Sequence, residues 1–510
     1  MIQPDRVLLV PLDQWRGRCL SLLGHPAVRT PNLDRLASEG ILFRNHYAQA
    51  APCGPSRASL LTGQYLCNHR SALNGTPLDA RFTNVALEAR ALGYDPVLFG
   101  YTDQSPDPRE LDPDDPRLRT YEGVLPGFRA VLDLPEHLRP WGEWLRGRGY
   151  DVPADVRELY EPESDALGAP ARYHADDSEA AFLTESLLAW IDEQGDAPWF
   201  AHAAYIRPHP PFVAPTPYHA FVDPADVELP VRRDTWQEEG GQHPLLEGAT
   251  AIAALRGPED EAGVRQLRAT YYGLMAEVDD KVGRLFDGLR DRDLLDRTLV
   301  VLTSDHGEML GDHWLTEKLG YFDEAYHVPL IVRDPRAHHD ATRGTVVDRF
   351  TENVDVMPTI LDWLGAEPPT QCDGRSLLPF LAGEEPADWR REVHWEWDFR
   401  DFVGAFSAGA FGLTLEQCAL TVIRDEHAKY VHFSGLPPLF FDLDRDPDHF
   451  ENRAGDPAYA PRVLEYAQKM LSWRMEHADR TLTNLVVTPR GVLDFRRVHS
   501  GPGRRAARAS

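Results

Sequence analysis

"RVLLVPLD", Arg6 to Asp13, decides the fold. It is a continuous apolar run that stops at a carboxylate. Strict alternation would mark a sheet with one wet face. A continuous run marks a strand buried on both faces, as in a parallel sheet covered by helices. "TLVVLTSDHGE", Thr298 to Glu308, has the same design: apolar, then acidic. In such sheets polar groups gather beyond the carboxyl ends of the strands.

The segments around these strands alternate. In "TPNLDRLASEG", Thr30 can N-cap a helix, Pro31 fits its first turn, Leu33 and Leu36 share a face, and Gly40 ends it. "ILFRNHYA" reads as a strand. "TNVALEARALGYDPVLFGYTD" reads as a helix, Gly93, and a strand from Pro96 to Tyr101. "DSEAAFLTESLLAWIDEQG" is amphipathic, with Phe182, Leu183, Leu187, Trp190 and Ile191 on one side. "PWFAHAAYIRPHPPF" is a strand running into a Pro-rich loop, and "VRQLRATYYGLMAEVDDKVGRLFDGL" is a long helix. The expected fold is α/β, a large central mixed sheet sandwiched by helices. Later, "CALTVIRDEHAKYVHF" and "PPLFFDLDRDP" read as antiparallel strands, followed by a helix near "YAQKMLSWRMEHA". The expected division is a catalytic α/β domain over 1–380, a C-terminal α+β subdomain over 381–498, and a basic disordered tail over 499–510.

Composition fits this size and excludes some partners. The chain of 510 residues is 42% hydrophobic and 26% charged, with a formal net charge of -28. Such charge serves solubility and repels nucleic acid and anionic membranes. An anionic substrate would need local cations to overcome it. The N-terminus lacks the pattern of a signal peptide, and no apolar run reaches the ~20 residues of a bilayer span. Cys19, Cys53, Cys67, Cys372 and Cys418 are scattered and form no CxxC pair. Reduced thiols in the cytoplasm are the expectation.

Two strand ends carry potential ligands: Asp13 with Gln14, and Asp305 with His306. Oxygen and imidazole donors together suit one divalent cation. Either stretch alone reads better as N-caps for the turn that follows. Both at strand ends favour the metal.

The remaining signal is "APCGPSRASLLTGQY", Ala51 to Tyr65. A small buried hydrophobe would account for Cys53 but not for its neighbours. Cys53, Pro55, Arg57, Thr62 and Gly63 match the sulfatase signature: Cys or Ser, any residue, Pro, any residue, Arg, four residues, Thr-Gly. "TPNLDRLASEGILFRNHY", "GYDPVLFGYTDQSPDP", "RPHPPF", "TSDHGEMLGDH", "VDVMPTILDWLG", "CDGRSLLPFL" and "PPLFFDLDRDP" extend the likeness over nearly the whole chain. The sequence resembles the sulfatase branch of the alkaline phosphatase superfamily, most closely the phosphonate monoester hydrolases and related arylsulfatases. The resemblance implies a large α/β sandwich with a smaller C-terminal domain, and a homo-oligomer, dimer or tetramer.

It also implies a chemistry. The cysteine of the signature becomes formylglycine through a maturation enzyme that reads the Pro and Arg. The hydrated aldehyde then cleaves small monoanionic esters through a covalent intermediate: aryl sulfates, phosphonate monoesters or phosphodiesters. By resemblance, Asp13, Gln14, Asp305 and His306 bind one metal ion together with the modified Cys53. Arg57 orients the nucleophile. Lys318 bridges it to the substrate. His209 contacts the transferred group or protonates the leaving oxygen. Asn74 and Tyr101 line the anion pocket, with His69 a further candidate. His313 is read as structural. Gln14 and His306 stand where many sulfatases have a carboxylate and an Asn. That exchange moves the expected metal toward Mn²⁺ or Zn²⁺, with Ca²⁺ the alternative. Phosphonate monoester hydrolases have Thr two residues after the pocket Tyr; this chain has Asp103. A carboxylate there repels anions or pairs with a cationic group. Two further readings stay open: a phosphatase or phosphotransferase of the same superfamily, and an unconverted binding protein.

Overall fold

The structure is a computed structural model and describes residues 5–135, 137–402, 406–407 and 411–494. The expected tail, 499–510, lies outside the described residues. The central sheet has eight strands in the order Thr345–Val347, Ile41–Phe43, Leu330–Arg333, Thr298–Ser304, Arg6–Leu12, Trp199–Ala203, Val97–Gly100, Arg129–Asp133. Neighbours run parallel except at Leu330–Arg333, which is antiparallel on both sides. The sheet is therefore mixed, as the family resemblance implies. Its two central strands are the two acid-ended ones, side by side.

Alternate residues of these strands enter separate cores. Leu8, Val10 and Leu12 meet the helices Pro31–Glu39, Glu179–Gln194 and Glu261–Asp291. Val7 and Leu9 meet Cys53–Thr62, Val85–Ala91 and Val356–Trp363 on the other face. A strand covered twice needs apolar residues at every position, which explains the unbroken run.

One expectation is corrected. Thr30 occupies the N-cap of Pro31–Glu39, but its side chain makes no cap bond. The carboxylate of Asp279, on the long helix, accepts from the backbone N–H of Leu33 at 2.8 Å and of Asn32 at 3.1 Å. A charged acceptor from a packed neighbour fills the role that a local hydroxyl serves elsewhere.

A second sheet has five strands in the order Leu439–Asp442, Ala428–Phe433, Ala419–Arg424, Val393–Asp398, Ala50–Ala51. The first four are antiparallel and lie in the late segment. The helix Ala460–Glu476 packs Tyr466 and Met470 on one face, against Ile423, Tyr430 and Phe440. The fifth strand comes from far earlier: Ala50–Ala51 pairs parallel with Glu396 and Trp397, immediately before Cys53. The late sheet thus holds the approach to the Cys53 helix. Among the described residues no helix is long and apolar enough to cross a membrane.

Trp395 anchors this junction. It is fully buried and stacks on Tyr326 (centroids 5.0 Å, 20° between planes) and on Tyr47 (5.8 Å, 5°). Trp395→Ala should cost about 3–5 kcal/mol. A thermal melt should show a clearly lowered midpoint, whereas an unchanged midpoint would mean that the late sheet stays seated on Tyr47 and Tyr326 without this stack.

Candidate active site

The site begins with strand register. Leu12 lies opposite Ser304, so the next residues, Asp13 and Asp305, leave the sheet side by side. The backbone N–H groups of Gln14 and His306 donate to Asp305 Oδ1 at 3.1 and 2.9 Å. Both acids are essentially inaccessible to solvent, as is His306. Parallel pairing alone puts two carboxylates and an imidazole in one place.

The helix Cys53–Thr62 brings the fourth group. All ten of its residues are buried, and it stops at Gly63 with φ 69°. That left-handed geometry favours glycine. Cys53 is the first residue of the helix, and its Sγ lies 3.1 Å from His306 Nε2. Donor atoms of Asp13, Cys53, Asp305 and His306 all lie within 4.8 Å of one another. Asp13 Oδ1 is buried and has no hydrogen-bond partner. An orphaned carboxylate oxygen in a cluster of oxygen, nitrogen and sulfur donors fits a divalent cation.

Arg57, one turn into the same helix, crosses the cluster. Its Nη2 donates to Asp13 Oδ2 and its Nε to Asp305 Oδ2, both at 3.0 Å. Nη1 donates to the backbone oxygen of Tyr101 at 3.2 Å, and the guanidinium lies over the Tyr101 ring. The Tyr101 hydroxyl donates back to Asp13. Burial works against ionisation of Asp305, but His306, Arg57 and the Gln14 N–H outweigh it and hold it at about 2. Burial raises Asp13, helped by the charge of Asp305. Burial also pushes the Cys53 thiol well up, against the pull of Lys318 and with help from Asp13, Asp305 and Asp103. An unmodified thiol held protonated is a poor nucleophile.

A cavity of about 230 Å³ opens beside Cys53. Asn74, Tyr101, Asp103, His209 and Lys318 line it. Asn74 Oδ1 accepts from the Gly54 N–H at 2.8 Å. Lys318 Nζ donates to Gln14 Oε1 at 2.8 Å, lies 3.2 Å from His209 Nε2, and pairs with Glu317 at 3.1 Å. Burial lowers His209 to about 4, with Lys318 adding to the effect, so its ring is neutral near pH 7. Asp103 is buried 3.5 Å from Arg57 Nε, and burial raises it to about 7.

His69 stands apart. Its Nε2 meets Ser59 Oγ at 3.0 Å and its Nδ1 accepts from the Ser71 N–H at 3.1 Å, behind the Cys53 helix and away from the cavity lining. His313 pairs with Glu239 and stacks on Phe322. Gln14 turns its amide oxygen to Lys318 and its amide nitrogen to Glu308.

A family model described as Sulfatase matches residues 5–366, and one described as N-sulphoglucosamine sulphohydrolase, C-terminal, matches 311–476. The chain belongs to the sulfatase family. It is 45% identical over 509 residues to the multifunctional alkaline phosphatase superfamily protein PehA of Trinickia caryophylli, covering 95% of this chain and 98% of the relative. It is 26% identical to an arylsulfatase of Clostridium perfringens, covering 94% and 96%. Its fold is similar to the phosphonate monoester hydrolase of Agrobacterium radiobacter, with TM-score 0.92 and 46% identity over 96% of this chain and 99% of that one. Membership implies a metal ion and a formylglycine made from the signature cysteine, and the Cys53 cluster fits both.

This sulfatase holds supporting residues that motif reading passes over. Glu308, the last acid of "TSDHGE", is buried, raised to about 7 by burial and by Glu317, and accepts from the N–H groups of Leu310 and Glu317. Its bond to Gln14 fixes the amide that meets Lys318. Arg207, in "RPHPPF", donates from Nη1 to the backbone oxygens of His209 at 2.6 Å and Pro211 at 2.9 Å. It fixes the loop that carries His209. Neither residue matches a motif position; only the quoted strings contain them.

Removing Arg57 leaves Asp13 and Asp305 buried together without their shared partner. Arg57→Ala should destabilise the metal-free protein by about 3–5 kcal/mol. Added divalent metal should recover part of that loss by offsetting the same carboxylates. Melts of both proteins with and without metal test this; an equal loss under both conditions would separate Arg57 from the cluster.

Proposed function

We propose that this sulfatase cleaves small monoanionic esters with a formylglycine derived from Cys53. Aryl sulfates, phosphonate monoesters and phosphodiesters are the candidate classes. The supporting observation is the juxtaposition of Cys53, Asp13, Asp305 and His306, bridged by Arg57, beside a cavity lined by Cys53, Asp13, Lys318 and His209. Asp13, Asp305, His306 and the modified Cys53, with Gln14 alongside, would hold one divalent ion, Mn²⁺ or Zn²⁺ by the donor set. When bound, the ion offsets the two carboxylates and supplies Lewis-acid polarisation.

The residues divide the reaction. The modified Cys53 would supply an aldehyde hydrate with two hydroxyls on one carbon, one that, after giving up its proton, would displace the organic oxygen from sulfur or phosphorus, and one that would release the product. The Lys318–His209 pair supplies the proton that the leaving oxygen takes up. Giving up its own proton, the second hydroxyl would let sulfate or phosphonate depart with return of the aldehyde, which water would hydrate again, an exit that an ordinary Ser or Cys lacks. Arg57 keeps Asp13 and Asp305 in place, and Asn74 and Tyr101 frame the tetrahedral centre. Cys53 is only 5% exposed, so a maturation enzyme must act before the chain closes over it, in the cytoplasm where its thiol is reduced. The chemistry is assigned to residues 1–380, and support of the Cys53 approach to 381–498.

Conversion of Cys53 lowers the chain mass by about 18 Da, which intact-mass measurement resolves. Cys53→Ala should fold and bind metal yet lose nearly all turnover of 4-nitrophenyl sulfate and 4-nitrophenyl phenylphosphonate. A variant with undiminished kcat would overturn the assignment. Asp305→Asn should lower both metal content and kcat, with elemental analysis finding about one ion per chain in the unsubstituted protein. Full metal retention by a protein lacking both Asp13 and Asp305 would move the metal elsewhere.

A further inference from the structure

Asp103 stands against the start of the Cys53 helix. A Cβ placed on Gly54 would lie 3.2 Å from the Asp103 backbone oxygen, and the next residue, Gln104, donates from Nε2 to the Gly54 backbone oxygen at 2.7 Å. Gly54 follows Cys53 directly. Asp103 is only 6% exposed and lines the same cavity as Cys53 and Lys318. Arg57 Nε meets Asp305 Oδ2 at 3.0 Å and Asp103 Oδ2 at 3.5 Å, so one nitrogen faces both carboxylates. A third carboxylate therefore stands at the reacting end of the cavity, beside Asp13 and Asp305.

These carboxylates divide the single charge of Arg57, with Asp13 and Asp305 at 3.0 Å and Asp103 at 3.5 Å. Lys318 is offset by Glu317 at 3.1 Å. A divalent ion held by the cluster would balance the two carboxylate charges that Arg57 leaves, and no positive charge would remain in excess. Were residue 103 neutral, one would remain. Asp13, Arg57, Asp103 and Asp305 are all buried, so little water screens them.

We propose that Asp103 is a specificity-determining residue that selects esters by charge, disfavouring a doubly charged phosphate monoester against a singly charged sulfate ester, phosphonate monoester or phosphodiester. The inference rests on the ester-hydrolase reading and assigns its preference for monoanions to one side chain. The basis is Coulombic. The energy between a fixed charge and a ligand is proportional to the ligand's charge, so Asp103 repels a dianion twice as strongly as a monoanion in the same place. In affinity the relation is a square: whatever factor the carboxylate costs a monoanion, it costs a dianion that factor squared. A residue acting through shape or hydrogen bonding alone would not produce that relation.

The test uses 4-nitrophenyl sulfate and 4-nitrophenyl phosphate, which share an arm and a tetrahedral head and differ by one charge at about pH 8. Burial raises Asp103 to about 7, so it too is ionised there. Binding is measured by calorimetry on Mn²⁺-loaded Cys53→Ala, so turnover does not interfere. Asp103→Asn in that background keeps the shape and suits the left-handed backbone, φ 52°. It should tighten the sulfate about fivefold and the phosphate about twenty-five-fold. Asp103→Ser, also neutral, should shift the two ligands in the same relation. Equal changes for both ligands, a larger change for the sulfate, no change, binding of neither ligand, or failure of both variants to fold would overturn the proposal. Turnover of 4-nitrophenyl sulfate by the converted enzyme is read separately. Hydrolysis with the two affinities shifting equally sinks only this inference. The unequal shift without hydrolysis of any ester sinks only the reaction assignment.

Discussion

Arg57 is the constraint on which the site depends. Two carboxylates leave neighbouring strands at the same level, and neither can reach water. Without a cation between them, that arrangement is unstable. Arg57 supplies one from inside the helix whose first residue is Cys53, so the group that neutralises the acids also sets the distance from Cys53 to them. Stability and chemistry are not separable here. The residual Asp13 oxygen, buried and unbonded, shows that one guanidinium does not satisfy the cluster.

The late sheet has a part in this geometry. Ala50–Ala51 enters it as a fifth strand, and Cys53 follows two residues later. The Cys53 helix is therefore held at its start by one sheet and along its length by the core of the other. Such double anchoring fixes the position of a catalytic group better than a free loop does. The outer shell works alike: Glu308 fixes Gln14, Gln14 meets Lys318, and Arg207 fixes the loop of His209.

The acidic wall of the cavity changes how the net charge of the protein reads. Excess acid serves solubility, but at Asp103 and Glu122 it faces the space where an anion must bind. The sequence shows the carboxylate at 103, and the structure sets it 3.5 Å from Arg57 Nε, inside the cluster rather than on its own.

Much of the fold is legible in local pattern. Unbroken apolar runs at Arg6–Leu12 and Thr298–Ser304 follow from burial on both faces, a requirement that acts residue by residue. The Cys-x-Pro-x-Arg string and the two acidic strand ends are also local, so Cys53, Arg57, Asp13 and Asp305 can be named without coordinates. Thr30 shows the limit. It reads as a cap, yet Asp279, far along the chain, makes the bonds. His69 is similar: its motif places it near the pocket, but the side of the helix it faces puts it on Ser59. Sequence determined which strands are buried, where the acids fall and which cysteine carries the signature, because those depend on residue order and periodicity. Strand order, the recruitment of Ala50–Ala51, and the pairing of Glu308 with Gln14 and of Asp103 with Arg57 were decided by the tertiary structure. Those contacts join distant segments, and only packing chooses between the partners that local sequence leaves equivalent.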